Sequence, residues 1–192
     1  MGNIRAALPV KLIVGVLTSI PELLPETEKE LTKFFGAIDA RSELFLFDRT
    51  HYYDAEMGNP IYRRFLGFAD LIEAPAVADV KIASNELEAV MAGRYPAVPR
   101  PVNLDPGYLE QSKIVLASTK NYFHRILIAR GIYAEVTLHY QNRRWQSFPW
   151  TFPDYGSEKY HPFFTVLREN YRRQLSAAGF EIRIPKQPQR KL

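Results

Sequence analysis

The chain has 192 residues, of which 46% are hydrophobic and 13% aromatic, and this is enough to bury the core of one domain. It contains no cysteine. Disulfides, thiolate zinc sites, iron–sulfur clusters and a cysteine nucleophile are therefore excluded, and a reducing compartment, the cytoplasm, is expected. The longest apolar run near the N-terminus, Leu12–Leu17, is too short to cross a bilayer or to form a signal-peptide core, so no membrane partner is expected.

The formal net charge is +4, and the excess of positive charge lies at the C-terminal end of the chain. The last ten residues carry four cations and no acid apart from the chain terminus: Arg183, Lys186, Arg190 and Lys191. Subtracting these four charges leaves a body of formal charge zero. We therefore expect a single α+β domain over residues 1–182 and a basic, disordered tail over residues 183–192. Such a tail offers a surface for RNA or anionic lipid, but blocks of like charge are more often solvated termini.

In the first half of the chain, short apolar runs alternate with segments of helical spacing. Apolar residues between Pro75 and Met91 recur three or four apart, which is typical of a helix, and Gly36 stands where a helix would end. The predicted elements are, in order, strand Val10–Thr18, helix Glu26–Phe35, strand Leu44–Phe47, strand Tyr62–Phe68, helix Pro75–Met91 and strand Val102–Asp105. This βαββαβ order is that of a ferredoxin-like fold.

The segment after these elements allows two interpretations. Asp105-Pro106-Gly107 has the residue types of a β-turn, and we predict one. The following stretch, Tyr108–Lys120, contains the β-rich run Ile114–Leu116, but Leu109, Ser112 and Leu116 form a helical stripe. We favour the helix.

The remainder of the chain predicts a β-meander followed by a helix. His124–Ala129 and Ile132–Tyr140 flank the tight-turn pair Arg130-Gly131, and Arg144–Trp150 follows as a third strand. An amphipathic pattern from Phe163 to Leu175 then indicates a C-terminal helix. The predicted fold class is thus α+β, with a mixed or antiparallel sheet, ferredoxin-like order in the first half, a meander and a C-terminal helix.

The loop from Phe47 to Gly58 is the first candidate site, because it follows a buried strand and is dense in polar groups. Its carboxylates, Asp48 and Glu56 among them, are oxygen ligands suited to a divalent cation such as Mg²⁺, and Thr50 and Tyr53 are candidate ligand contacts. The alternative is a solvated loop in which Asp48 caps a turn and the tyrosines pack on the domain edge.

The Asn103–Tyr108 turn is the second candidate. If a helix begins here, its free amides would face an anion, with Lys113 assisting and Asp105 available to a metal. The alternative is a turn with a structural role alone.

The third candidate is Ser118-Thr119-Lys120 with His124-Arg125, whose hydroxyl, ammonium, imidazole and guanidinium groups suit a phosphate. His124 is also a candidate general acid or base. The segment lacks the spacing of a phosphate loop, since neither GxxxxGK[ST] nor GxGxxG occurs in the chain. Surface basic residues on a connection between two elements explain it nearly as well.

Glu135 lies in an alternating strand, on the face of Tyr133, Thr137 and His139 and opposite Leu138. If both faces are covered, Glu135 is buried and needs a cationic partner, Lys120 or Arg125. If one face is open, it is an ordinary exposed residue. The aromatic stretch from Trp145 to Tyr155 is either a stacking platform for a nucleic-acid base or a lid over the core, and we favour the lid.

Taken together, these segments resemble a bacterial and archaeal family catalogued as domain of unknown function 4416. The resembling pieces cover nearly the whole chain in order: Lys11–Leu17, Phe47–Thr50, Tyr52-Tyr53, Glu56–Gly58, Asn85–Glu88, Asn103–Leu109, Thr119-Lys120, His124–Ile126, Gly131–Leu138, Pro149–Thr151 and Pro153–Tyr155. Arg49 departs from the family pattern, which has an aromatic residue there. The resemblance implies no established activity, but it implies that the candidate segments form one shared polar site.

We therefore expect a protein that binds a phosphorylated small molecule, plausibly a nucleotide. Lys120, His124 and Arg125 would contact phosphate, Asp48, Glu56 and Asp105 would hold a divalent metal, and hydrolysis would use His124 and Glu135. The remaining candidate ligand contacts are Thr50, Tyr53, Asn103, Tyr108, Lys113 and Thr119. The alternative is an RNA- or protein-binding module without catalysis, which would use the basic tail and the aromatic stretch.

Overall fold

The computed structural model describes residues 6–50 and 52–181. The predicted tail, residues 183–192, lies outside these ranges. The strands are β1 (Val10–Thr18), β2 (Ile38–Arg41), β3 (Phe45–Leu46), β4 (Tyr62–Ile72), β5 (Asn103–Leu109), β6 (Lys113–Ser118), β7 (Ile126–Ala129), β8 (Ile132–Gln141) and β9 (Arg144–Ser147). The helices are α1 (Leu24–Phe35), α2 (Asp54–Met57), α3 (Val77–Arg94) and α4 (His161–Ala177), with 3₁₀ turns at Pro21–Leu23, Ala74–Ala76 and Glu158–Tyr160. Among the described residues, no helix is long and apolar enough to span a membrane.

The first half has the predicted ferredoxin-like arrangement. Its strands lie in the order β2-β4-β1-β5, and each neighbouring pair is antiparallel. The sequence missed β2, a four-residue strand of alternating exposure, and placed the strand after it at Leu44–Phe47, where β3 now pairs with the start of β4. The α+β prediction is confirmed.

Helices cover both faces of the sheet, because β1 is apolar on both sides. Leu12, Val14 and Val16 pack with residues of α1 and α3 in one core. Ile13 of β1 packs instead with Phe164 and Leu167 of α4 in a second core. Strands buried on both faces read as continuous apolar runs, which is why β1 was predicted with its correct bounds.

The second half extends the same sheet in the order β5-β6-β8-β7, and β9 pairs with β8. Both predicted hairpins are present. Arg130 and Gly131 have φ angles of 46° and 77°, and Asn142 and Arg143 have 52° and 62°. Two consecutive residues of positive φ give the tight turns that match the twist of a two-stranded ribbon.

Two predictions between residues 103 and 120 are wrong. Asp105-Pro106-Gly107 is not a turn but part of β5, and Tyr108–Lys120 is not a helix but the end of β5, a short connection and β6. Gly107 serves close packing rather than a turn, since a Cβ there would lie 2.2 Å from the carbonyl oxygen of Val115. Pairing with neighbouring strands has overridden the local turn chemistry.

An irregularity in β8 corrects a further expectation. Ile114 pairs with Leu138 and Val115 with Val136, so one extra β8 residue lies opposite β6. Because Leu116 pairs with Glu135 and shares its core with Leu138, Glu135 and Leu138 both face α4 instead of opposite sides. The strict alternation predicted for this strand is therefore wrong, and the bulge turns Glu135 toward the α4 face.

Candidate functional site

A cleft of about 490 Å³ lies beside the loop that precedes α4, where the start of β5 meets the end of β6. This volume is within the range of small-molecule sites. The loop after β3, the start of β5, the end of β6 with the connection to β7, and residues 152–155 form most of its lining. Single side chains from other parts of the chain complete it: Arg63, Lys81, Arg100 and Glu135.

Arg63 of β4 is the centre of the cleft floor. Its Nη1 donates to Asp105 at 2.6 Å and its Nη2 donates to Asp154 at 3.0 Å, and the residue is 2% exposed. Gly15 of β1 makes room for it, because a Cβ at Gly15 would lie 2.7 Å from Nη1. The guanidinium also lies against the rings of Phe47, Phe65 and Tyr155. A buried cation is thus held between two carboxylates and three aromatic rings.

The two carboxylates on Arg63 have opposite pKa shifts. Burial alone would raise the pKa of Asp105, but Arg63 and Lys81 outweigh burial and lower it below its ordinary value. Burial raises the pKa of Asp154 above its ordinary value, and Arg63 only partly offsets this. The pKa of Arg63 is raised, because the attraction of the two carboxylates exceeds the effect of burial. The floor therefore keeps a fixed positive charge with an ionised Asp105 beside it.

Glu135 organises one wall of the cleft, and the buried alternative for this residue is correct. It is 3% exposed. Its Oε2 accepts from Arg125 Nε at 2.7 Å and lies 2.9 Å from His124 Nε2, while Oε1 accepts from Thr137 at 3.1 Å. Arg125 donates further to Ser118 Oγ at 2.7 Å. Both oxygens of Glu135 are occupied, so the residue fixes Arg125 and His124 in place.

The cations of the cleft differ in how far they are neutralised. Arg100 contacts Glu56 and Glu88, and Lys81 donates to the carbonyl oxygen of Leu104. Lys120, in contrast, donates to the hydroxyl of Tyr52 at 2.7 Å and forms no ion pair with a described carboxylate. Arg49 is 54% exposed, and its Nε lies 3.8 Å from Asp48.

The cation without a described carboxylate partner thus lies at the mouth of the cleft, on Lys120, beside the exposed Arg49–Asp48 pair. Positive charge there attracts anions from solution.

The loop that covers the cleft is anchored at the β8 bulge. Trp150 Nε1 donates to the carbonyl oxygen of Val136 at 3.0 Å, and Thr151 Oγ1 donates to that of Thr137 at 2.5 Å. Trp150 also stacks on His124, with ring centroids 5.5 Å apart. The bulge therefore turns Glu135 toward the cleft and also leaves two carbonyl groups that hold the loop in place.

Most of the residues predicted as site residues come together. Eight line the cleft: Thr50, Tyr53, Asn103, Asp105, Thr119, Lys120, Arg125 and Glu135. His124 is joined to them through Glu135. Tyr108 instead packs with Val77 and Ala78, and Lys113 pairs with Glu110 at 2.6 Å. The structure places neither Tyr108 nor Lys113 in the cleft, because the helix predicted to carry them there is a pair of strands.

The three predicted metal ligands do not form a cluster. Asp48 pairs with Lys159 and Arg49, Glu56 pairs with Arg100, and Asp105 pairs with Arg63. Within residues 6–50 and 52–181, no group of three or more His, Asp or Glu side chains is arranged to hold a metal ion. Each carboxylate has a cationic side chain in the place where the prediction put Mg²⁺.

Sequence reasoning assigned none of the floor residues to the site, namely Arg63, Lys81, Asp154 and Tyr155, although Asp154 and Tyr155 lie in segments that it singled out. A signal was available for Arg63, since it stands two residues before Phe65 in a strand and so shares the face of that apolar anchor. A charged residue at a core-facing strand position needs a buried partner. The partners themselves, 42 and 91 residues away, carry no local signal.

A family model matches residues 8–171 of the chain, under the description "Domain of unknown function (DUF4416)". No curated protein and no solved structure matches the chain.

Proposed function

The chain belongs to the DUF4416 family, whose description states no activity, and from the cleft itself we propose that the protein binds a phosphorylated small molecule or nucleotide. The observation that carries the proposal is that Lys120, which has no described carboxylate partner, lines a cleft of about 490 Å³. A phosphate group is the ligand that this charge favours.

The walls of the cleft support an organic ligand rather than inorganic phosphate alone. Tyr52, Tyr53, Tyr122 and Phe152 all contribute to the lining. Lys120 Nζ lies 4.6 Å from the ring centroid of Tyr52, and Arg125 lies against the rings of Tyr122 and Phe152. Aromatic faces beside fixed cations suit the apolar faces of a base or a sugar ring.

In this proposal Glu135 and His124 support the site. Glu135 already accepts on both oxygens, so its contribution is to hold Arg125 and His124 rather than to accept a proton from a substrate. The absence of cysteine fits a cytoplasmic protein, and we propose that location.

The test is a thermal-shift and calorimetry panel of ATP, GTP, AMP, ribose 5-phosphate and pyrophosphate, each with and without Mg²⁺. A ligand at a hundred times its dissociation constant adds about 2.7 kcal/mol of stability, which raises Tm by roughly 5–11 °C in a chain of this size. Lys120→Gln should weaken binding about tenfold, because it removes a charge-assisted contact.

The matched control is Lys33→Gln, an exposed lysine of α1 outside the cleft, which should bind as the wild type does. If no member of the panel raises Tm, or if both variants bind equally well, the proposal fails.

The structure offers less support for the alternative of an RNA- or protein-binding module. Trp145 and Tyr155 are 4% and 1% exposed, so these two rings of the aromatic stretch form part of the core, as the lid interpretation expected. Phe148 and Trp150 stack on each other. The basic tail lies outside the described residues. RNA binding that is lost when residues 185–192 are deleted would favour the alternative.

A further inference from the structure

The hydroxyl of Tyr155 is a buried polar group that lacks a partner among the described residues. Tyr155 is 1% exposed and lines the floor of the cleft, where its hydroxyl lies beside the Arg63 guanidinium over Gly15. A buried hydroxyl without a hydrogen bond is costly, and in a cleft an ordered water or a ligand supplies the partner. Since a phenol both donates and accepts, that partner is a polar group of either kind.

The two carboxylates beside Tyr155 add acceptors to the floor. Asp105 accepts from Arg63 and Asn103, and Asp154 accepts from Arg63 and from the backbone N–H of Tyr155. A carboxylate offers about four acceptor positions, so both residues keep free lone pairs. A floor with two carboxylate acceptors and one phenol matches a ligand fragment with several hydroxyl groups, which donate to the carboxylates while one of them accepts from the phenol.

The distribution of charge determines which end of such a ligand lies at the floor of the cleft and which end lies at its mouth. On the floor, Arg63 lies between Asp105 and Asp154, and Lys81 pairs with Glu88 at 3.8 Å, so both cations have carboxylate partners. At the mouth, Lys120 has no described carboxylate partner. A phosphate is therefore favoured at the mouth and disfavoured beside the carboxylates, whereas uncharged hydroxyl groups suit the floor.

We propose that the floor of the cleft is a sugar-binding subsite, in which Tyr155, Asp105 and Asp154 bind hydroxyl groups while the phosphate lies at Lys120. This inference rests on the proposed function and narrows its ligand to a phosphate ester of a polyhydroxylated group, such as a sugar phosphate or the ribose of a nucleotide. It also orients that ligand with its sugar inside.

The test compares ribose 5-phosphate with ethyl phosphate, a phosphate monoester that has no hydroxyl groups to offer the floor. Calorimetry measures both ligands on the wild type, Tyr155→Phe, Tyr160→Phe and Lys120→Gln. Tyr160 is the matched control, since it is 0% exposed and its hydroxyl also lacks a described partner, but it lies outside the cleft lining. Loss of an unpartnered buried hydroxyl should leave Tm unchanged or higher for both phenylalanine variants.

Ribose 5-phosphate should bind more tightly than ethyl phosphate. Tyr155→Phe should weaken ribose 5-phosphate roughly 3- to 10-fold, the effect of one hydrogen bond, and leave ethyl phosphate unchanged. Tyr160→Phe should change neither ligand, and Lys120→Gln should weaken both. If Lys120 matters but Tyr155→Phe binds ribose 5-phosphate as the wild type does, the subsite is refuted and the phosphate proposal stands. If neither ligand binds, both are refuted.

Discussion

Removal of the Glu135 carboxylate should destabilise the protein far more than removal of a surface charge. The side chains of Glu135 and Arg125 are 1% and 2% exposed, and their ion pair measures 2.7 Å. Glu135→Leu would leave the Arg125 guanidinium buried with Ser118 and the carbonyl oxygen of Lys120 as acceptors, and without a negative charge. Breaking a buried pair in this way costs about 3–5 kcal/mol, which corresponds to a fall in Tm of roughly 6–20 °C.

Urea denaturation followed by circular dichroism measures this loss. The double variant Arg125→Met, Glu135→Leu should be more stable than Glu135→Leu alone, because an apolar pair removes the uncompensated charge. Lys33→Gln, in an exposed pair with Glu30, provides the comparison and should cost less than about 1 kcal/mol. A loss below about 1 kcal/mol for Glu135→Leu, or a double variant as unstable as the sum of both single changes, would refute the reasoning.

Two further predictions concern β5. Gly107→Ala should lower the free energy of unfolding by about 1–3 kcal/mol, because its Cβ would lie 2.2 Å from the Val115 carbonyl oxygen. Gly93→Ala in α3 has open space around it and should instead raise the free energy of unfolding by about 1 kcal/mol. Urea midpoints compare the two variants, and equal effects would contradict the close-packing role of Gly107. Because the folded-state pKa of Asp105 lies below its ordinary value of 3.8, its contribution is present above that value and is lost as the pH falls through the folded pKa. The stability advantage of the wild type over Asp105→Asn should therefore shrink as the pH is lowered below 3.8, and an advantage that stays constant in acid would show that the shift is absent.

The sequence predicted the elements whose signals are local. The bounds of β1 follow from an unbroken apolar run, both hairpins from their turn residues, and α4 from its apolar spacing. The ferredoxin-like order was predicted from the elements of the first half, with Leu44–Phe47 as the strand whose place β2 takes in the structure. The prediction was wrong where pairing with neighbouring strands determines the local structure. Pro106 and Gly107 are residue types typical of a turn, yet pairing with β1 and β6 makes them part of a strand.

For the site, the sequence predicted which segments meet more accurately than it predicted what the individual side chains do there. The segments around Tyr53, Asp105 and Lys120 do meet in one cleft. The carboxylates that were predicted to bind a metal instead form ion pairs with arginine and lysine. Some of these cations come from distant segments of the chain, such as Arg63 opposite Asp105 and Arg100 beside Glu56. The bulge that turns Glu135 toward α4 depends on the register between β6 and β8, which no local pattern encodes.

The position of Asp154 in the chain has a consequence for synthesis. Arg63 and Asp105 leave the ribosome well before Asp154, which is 91 residues from the arginine it binds. Until α4 has also been made, the face of the sheet that it covers is open to water, and a chain that stops at β5 leaves in addition a bare edge where β6 will pair. We therefore expect that the N-terminal and C-terminal halves of the sheet do not complete their folding independently of each other. We expect a nascent chain truncated after β5 to require chaperone protection, and the cleft to form only when α4 docks.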